Sequence, residues 1–304
     1  MKKPFLTVYG HITVDQIMSL RKFPGINETV DIVEKHTSLG GTGPNIALTA
    51  ARLGVPTALC GFVGPDFPPR FMKQMLDSDI ITNELLTLDG QETSAAMVFN
   101  DADLRQKVVF YQGPQGFASE LNIDLLDNAQ QSEYVHFCTG DPLYYIRLIN
   151  KMLGKQIAID PSQETYRLWP RHLLKEALVG AKALFCNNYE AKVIEERLDL
   201  KSVLDLDLPL VVRTDGAEGS VAKIAGRPVR IPCVAARATV DATGCGDAYR
   251  AGFYAGLYHG HSMQESLIIA STVSSFVIEK VGALTNTPTW NQVMRRAKPY
   301  LEEL

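Results

Sequence analysis

No Cys-x-x-Cys pair occurs in the chain, and its five cysteines (Cys60, Cys138, Cys186, Cys233, Cys245) are odd in number and widely spaced. Neither a disulfide framework nor a zinc site is expected from them, and a reducing, cytoplasmic location follows. Long runs of one charge are lacking too: 30 Lys and Arg face 34 Asp and Glu, a formal net charge of −4. A nucleic-acid partner is therefore not expected. The best apolar stretch, 267–278, carries Ser271, Thr272, Ser274 and Ser275. It falls short of the roughly 20 residues a membrane span needs, so it reads as a buried helix and no membrane partner is expected. His11 and Asp15 cut short the basic, then apolar, start, so no secretory signal is expected. G-x-x-x-x-G-K-[ST] and G-x-G-x-x-G are both absent, which excludes a P-loop and the usual dinucleotide fingerprint.

What is present is ordinary globular composition, 46% hydrophobic over 304 residues, with no Pro/Gly/Ser-rich linker. Short apolar runs at 5–9, 57–63, 134–138, 156–159, 183–186 and 210–213 have the length of buried strands. Between them, 44–53, 67–77, 121–130, 144–153 and 190–198 have helical spacing and helix punctuation. Strand alternating with helix predicts an α/β sandwich whose central, mostly parallel sheet is covered on both faces. Two stretches break the rhythm. Residues 12–39, alternating at 29–33, and residues 93–111, with apolar runs flanking a polar turn, read as hairpin strands. They predict a small β lid from 11–39 and 89–116 on a core of 1–10, 40–88 and 117–304. The stretch 247–281 reads as two apolar helices divided near Gly260-His261.

The densest cluster of chemistry is Asp241-Ala242-Thr243-Gly244-Cys245-Gly246-Asp247, running into a helical segment. Small residues ahead of a helix leave free N–H groups and the positive end of the dipole facing outward, a ready anion site. Asp247 then has two readings: a helix N-cap beside a glycine turn, or a base beside a hole that stabilises transferring phosphate. On the second, the dipole is expected to keep the carboxylate ionised and weakly basic at neutral pH. A second cluster, Gly40-Gly41-Thr42-Gly43-Pro44-Asn45-Ile46-Ala47, offers bare backbone to a hydroxylated ligand and, in Asn45, both a donor and an acceptor. Equally, it is a turn before a helix.

Gly41, Gly43, Asn45, Ala47, Gly54 and Gly64 resemble the N-terminal signature of the ribokinase or PfkB family of sugar and nucleoside kinases. Asp241 to Phe253 resembles its C-terminal D-T-x-G-A-G-D signature, with Ala242 where Thr or Pro is usual and Cys245 where a small residue is usual. The likeness covers essentially the whole chain. Segments 136–142, 160–163 and 287–290 look most like archaeal-type nucleoside kinases. The resemblance implies a ribokinase-like three-layer sandwich that uses ATP and Mg²⁺ to phosphorylate a primary hydroxyl, of a nucleoside ahead of a free sugar. A non-catalytic sensor of such ligands is the third reading.

The resemblance also implies roles for residues. Asp247 would be the base, the Gly244, Cys245 and Gly246 amides the anion hole, and Asp15, Gly40, Gly41 and Asn45 the substrate contacts, with Gln112 of the lid added. Asn187, Thr214, Gly216 and Gly219 would contact ATP, and Glu190 would organise Mg²⁺ through water; alone, Glu190 is also an ordinary acid of a helix's first turn. Asp241 would be either a ligand of a monovalent cation such as K⁺ or a turn acid. A homodimer joined through the lid is expected. A nucleoside is favoured over a sugar phosphate because 40–51 holds no Lys or Arg and Arg105 and Lys107 lie in a polar turn facing solvent. Met97, Phe99 and Phe110 would cover a base.

Overall fold

All four residues of Leu6–Tyr9 are buried and form β1, a strand inside a nine-stranded sheet in the computed structural model, which describes residues 3–103 and 105–304. On one side β1 pairs in parallel with β4 (Thr57–Val63), which pairs with the short β5 (Leu85–Thr87). On the other, β8 (Tyr134–Phe137), β9 (Gln156–Ile159), β10 (Ala183–Asn187) and β11 (Leu210–Thr214) extend the parallel set. The strands β12 (Ser220–Ile224) and β13 (Arg227–Ile231) close that edge antiparallel.

Successive strand residues point to opposite faces, so the sheet feeds two cores. Leu6, Val8, Phe185 and Val212 pack under α1 (Thr42–Arg52), α2 (Pro69–Asp77), α8 (Cys245–Tyr258), α9 (Met263–Val277) and α10 (Trp290–Leu301). Tyr9, Phe62, Phe137 and Leu184 pack under α3 (Asp127–Gln131), α4 (Pro142–Lys151), α5 (Thr165–Leu168), α6 (Arg171–Gly180) and α7 (Asn188–Leu198). This is the expected three-layer sandwich. The apolar stretch at 267–278 is buried in α9, and among the described residues no helix is long and apolar enough to cross a membrane.

Two element expectations fail. Residues 121–130 do not form one helix: a 3₁₀ turn at Pro114–Leu121 ends at Asn122 in the left-handed conformation (φ 52°), and α3 starts only at Asp127. The Glu84 carboxylate accepts the Asp127 and Asn128 N–H groups at 2.9 and 2.7 Å, a helix start supplied from elsewhere in the chain. The strand expected at 29–33 begins only at Ile32, because a turn in which the Gly25 N–H donates to Glu28 Oε2 holds the preceding residues off the sheet.

A separate four-stranded sheet, ordered β3-β2-β6-β7, is built from β2 (Thr13–Leu20), β3 (Ile32–Gly40), β6 (Ala95–Asn100) and β7 (Gln106–Tyr111). Parallel pairing of β2 with β6 joins the two sequence stretches, with Asp15 opposite Ala96. Ala96 in turn faces Phe110, so Asp15 and Phe110 share one side of the sheet, whereas Met97 pairs with Val109 and Phe99 with Lys107 on the other. Met97 and Phe99 therefore do not share the side of Phe110, contrary to expectation. Arg105 and Lys107 are exposed as expected, although Lys107 lies in β7 rather than in the turn; the Arg105 guanidinium is tied to Asp101 and Asp103, and Lys107 Nζ lies over the Phe23 ring.

Candidate active site

Helix α8 starts where Gly244 turns the chain at a φ of 76°, and a Cβ there would fall 2.2 Å from that of Ala283. Gly244 is thus the N-cap, which removes the capping reading of Asp247 and places that residue in the first turn. Its carboxylate makes no cap bond; Asn45 Nδ2 of α1 donates to Oδ2 at 2.8 Å. Burial lifts the Asp247 pKa to about 7 against the Asn45 hydrogen bond and Arg250, with Asp160 and Glu190 adding to the rise. Desolvation outweighs the helix dipole, and the expectation of a weakly basic carboxylate is corrected. Part of the Asp247 surface stays accessible.

Two cavities border this pair of helix starts. One, of about 410 Å³, is lined by Thr214, Gly216, Gly219, Cys245 and Gly246, with Val234, Ala236 and Ile278 on an apolar wall. The expected anion hole is partly spent on the protein itself: the Cys245 N–H closes the turn on Ala242 O at 3.1 Å. Gly246, in the first turn, has no intrahelical acceptor for its N–H. Burial pushes the Cys245 thiol up to about 11, so it stays protonated.

The other cavity, of about 340 Å³, is lined by His11, Thr13, Gly41, Thr42, Thr139 and Glu164, with Val108 and Phe110 from the four-stranded sheet. Thr13 Oγ1 donates to Asp15 Oδ1 at 2.5 Å, and burial raises the Asp15 pKa. A Cβ at position 40 would lie 2.0 Å from Asp15 Oδ2, so any other residue there would displace the Asp15 carboxylate. Gln112 Nε2 donates to Glu164 Oε1 at 3.3 Å, while Glu164 Oε2 accepts the Gly140 N–H at 2.7 Å. Burial raises the Glu164 pKa to about 7 and lowers that of His11 to about 4, so His11 is neutral. Both His11 ring nitrogens, Gln112 Oε1 and Asn45 Oδ1 are buried without a hydrogen-bond partner. Each such atom costs about 1–3 kcal/mol, which a ligand that bonds to them would recover.

The N-x-x-E element forms a capping box. Asn187 Oδ1 accepts the Tyr189 and Glu190 N–H groups, and the Glu190 carboxylate accepts from the Asn187 backbone and side chain. Burial, then the Asp160 charge, raises the Glu190 pKa to about 7. Asn187 does not line the larger cavity as Thr214, Gly216 and Gly219 do. Asp241 accepts from the Thr243 N–H and hydroxyl and from the Gly282 N–H, and these bonds hold its pKa low although burial opposes them.

Sequence reasoning missed His11, Thr139 and Glu164 as cavity residues. Their signals were position only: His11 directly after the Gly10 that ends β1, Thr139 just past β8, and Glu164 directly after the 160–163 segment.

A mostly parallel sheet between helices, a small second sheet, and two helix starts, joined by the Asn45–Asp247 bond and each lining its own cavity, form the frame of an α/β phosphotransferase acting on an alcohol. The chain matches the pfkB family carbohydrate kinases over residues 3–290 and belongs to that family. It is an ATP-dependent kinase that transfers a phosphoryl group to a hydroxyl. The nucleoside kinase of Methanocaldococcus jannaschii is 31% identical over 302 residues, 97% of each chain. Its crystal structure matches with a TM-score of 0.91, covering 98% of this chain and 100% of that one. The nucleoside kinase of Methanothermobacter thermautotrophicus is 32% identical over 96% of this chain and 94% of its own. The Arabidopsis thaliana ribokinase complexed with ribose and ATP shares the fold at a TM-score of 0.85 and 20% identity, covering 98% of this chain and 99% of that one.

Proposed function

We propose that this kinase phosphorylates the primary hydroxyl of the ribose of a nucleoside, with Asp247 as the base. The Asn45–Asp247 hydrogen bond carries the reading. It holds a carboxylate whose pKa is about 7 between α1, whose start lines the polar cavity, and α8, whose start lines the other. Ribose hydroxyls bond to Asp15 and to the free Asn45 Oδ1 over the close-packed Gly40-Gly41 backbone. The reacting hydroxyl hands its proton to Asp247 as the bond to phosphorus forms. First-turn amides of α8 from Gly246 on, with the Gly244 turn, receive the charge on the phosphoryl group. ATP lies in the larger cavity, its base against Val234, Ala236 and Ile278 and its phosphates along Thr214, Gly216 and Gly219 toward Gly246. Asn187 acts by fixing Glu190.

The donor set fits a hydrated Mg²⁺. Among the described residues no group of three or more His, Cys, Asp or Glu could hold a metal ion directly. Glu190 nevertheless places carboxylate charge near Asp247, which suits an ion bound through waters and nucleotide phosphates. When bound, Mg²⁺ supplies neutralisation of phosphate charge. Asp241 keeps lone pairs beyond its three bonds, which suits K⁺ at that turn.

Residues 11–39 and 89–116 act as the lid, since their sheet brings Thr13, Val108 and Phe110 to the substrate cavity, and Thr13 in turn bonds to Asp15. Exposed Met97, Val109 and Tyr111 on its far side suit a dimer formed lid to lid. The free cysteines suit the reducing cytoplasm. A nucleoside is favoured over a sugar phosphate because the cavity's cation, Arg167, is half-exposed and already paired with Glu164 at 3.6 Å. ADP release measured across nucleosides, ribose, hexoses and sugar phosphates tests this. A nucleoside is expected to give the highest kcat/KM, and a sugar or sugar phosphate outranking every nucleoside would overturn the reading.

A further inference from the structure

Among the described residues Arg250 is the only Lys or Arg that is buried, and the reaction as derived above gives it no task. It lies on α8 one turn beyond Asp247. Its guanidinium grips Asp160 through Nε at 2.8 Å and Nη2 at 3.3 Å, and Nη1 donates to Gly246 O at 3.2 Å. Asp160, just past the end of β9, also meets His136 Nε2 at 3.5 Å, and His136 Nδ1 bonds to the Tyr254 hydroxyl at 2.8 Å. The Arg250 and Asp160 side chains are 5% and 4% exposed. A buried pair of this kind adds little net stability, because desolvation of both charges offsets their attraction and packed apolar residues would serve the fold as well. Its place beside the glycine turn offers another account.

We propose that the Asp160–Arg250 pair is a positioning element that fixes the Gly244–Asp247 turn and sets the proton affinity of Asp247. The proposal rests on the reading of Asp247 as the base. The groups facing Asp247 are Asn45 from α1, Asp160 beyond β9, Glu190 from α7, Cys138 beyond β8, and Arg250 and Cys245 on its own helix. His136, beside Asp160, is kept neutral by burial. Asp160 and Glu190 favour the protonated carboxyl; Arg250 favours the ionised one. Arg250 never loses its proton, so Asp160 is what compensates it. Deleting the Asp160 charge leaves the guanidinium acting alone on Asp247 and lowers the pH at which the base ionises. Deleting both charges cancels the two effects.

The test is kcat/KM for a nucleoside against pH, on the full chain with saturating ATP and Mg²⁺. Asp160→Asn is expected to move the acid limb down by about one pH unit, and the double variant Asp160→Asn/Arg250→Met to bring it back to wild type. Arg250→Lys keeps the charge but loses the two-pronged grip and the bond to Gly246 O, so the limb stays while kcat falls about tenfold at unchanged KM. The Asp160→Asn shift must persist on a Glu190→Gln background, because Asp160 and Arg250 also act on Glu190. A folded Asp160→Asn with an unmoved limb, a double variant that stays with the single, or a shift lost in the Glu190→Gln background overturns the proposal. If Asp160→Asn does not fold, Arg250→Lys decides, and an unchanged kcat overturns it. Asp247→Asn separates the two readings: retained turnover removes the base itself, whereas lost turnover with an unmoved limb in Asp160→Asn removes only the tuning.

Discussion

In the proposed role of Asp247 as the base, the burial that raises its pKa also dictates its pH behaviour. That role needs the ionised form, whose pKa is about 7, so kcat/KM is expected to rise with pH through neutrality. Asp247→Asn is expected to lose about 10²–10⁴-fold in kcat while still binding nucleoside and ATP, checked by calorimetry beside steady-state kinetics. Asn45→Ala removes a hydrogen bond that favours the ionised carboxylate. Because that bond lowers the pKa, its loss raises it, and the acid limb should climb by about one pH unit, a bond to a charged group being worth about 1.5–3 kcal/mol. A limb that falls or stays would show that Asn45 serves substrate alone. The glycines and acids of both signatures were legible as motifs of fixed residue types at fixed spacing, and at Gly244 the positive φ of 76° is a demand the local backbone itself makes. His11 and Glu164 were not, since what marks them is an unpartnered ring and a carboxylate bonded to Gly140, both products of long-range packing.

The elements that carry the site begin close together. Helix α1 packs on α8, so two glycine turns distant in sequence share one bond between Asn45 and Asp247. The four-stranded sheet proposed as the lid is equally composite, since β2 and β3 reach β6 and β7 only through the parallel β2–β6 ladder. Nucleoside binding should therefore slow amide exchange in both stretches together, at 13–40 and 95–111, read by hydrogen–deuterium mass spectrometry. Protection of one stretch without the other would show that the sheet does not close as a unit. The parallel strands of the main sheet were legible as uniform apolar runs except the three-residue β5, too short to show one. Strands β12 and β13 were not: their two-residue turn is Ala225-Gly226, both at positive φ (48° and 84°), and Ala does not announce such a turn as Asn would. Helix α10 has a Thr289–Gln292 capping box, yet Pro299 inside it obscures the pattern.

At the scale of the molecule the charge is nearly balanced, −4 overall, and most ion pairs are superficial. Lys22–Glu28 and Lys73–Asp77 sit in solvent, where counterions replace either partner at moderate salt. The Asp160–Arg250 pair lies out of their reach. Raising ionic strength from about 0.01 to 0.5 M shortens the screening distance from about 30 Å to a few ångströms, enough to erase the surface pairs. It should leave the acid limb of the wild-type profile where it was. A limb that drifts with added choline chloride, at constant K⁺, would mean that bulk ions reach Asp247. One that holds still means that Asp247 carries its own counterion, folded into the chain, so its proton affinity stays the same in dilute buffer and in a salt-rich cell.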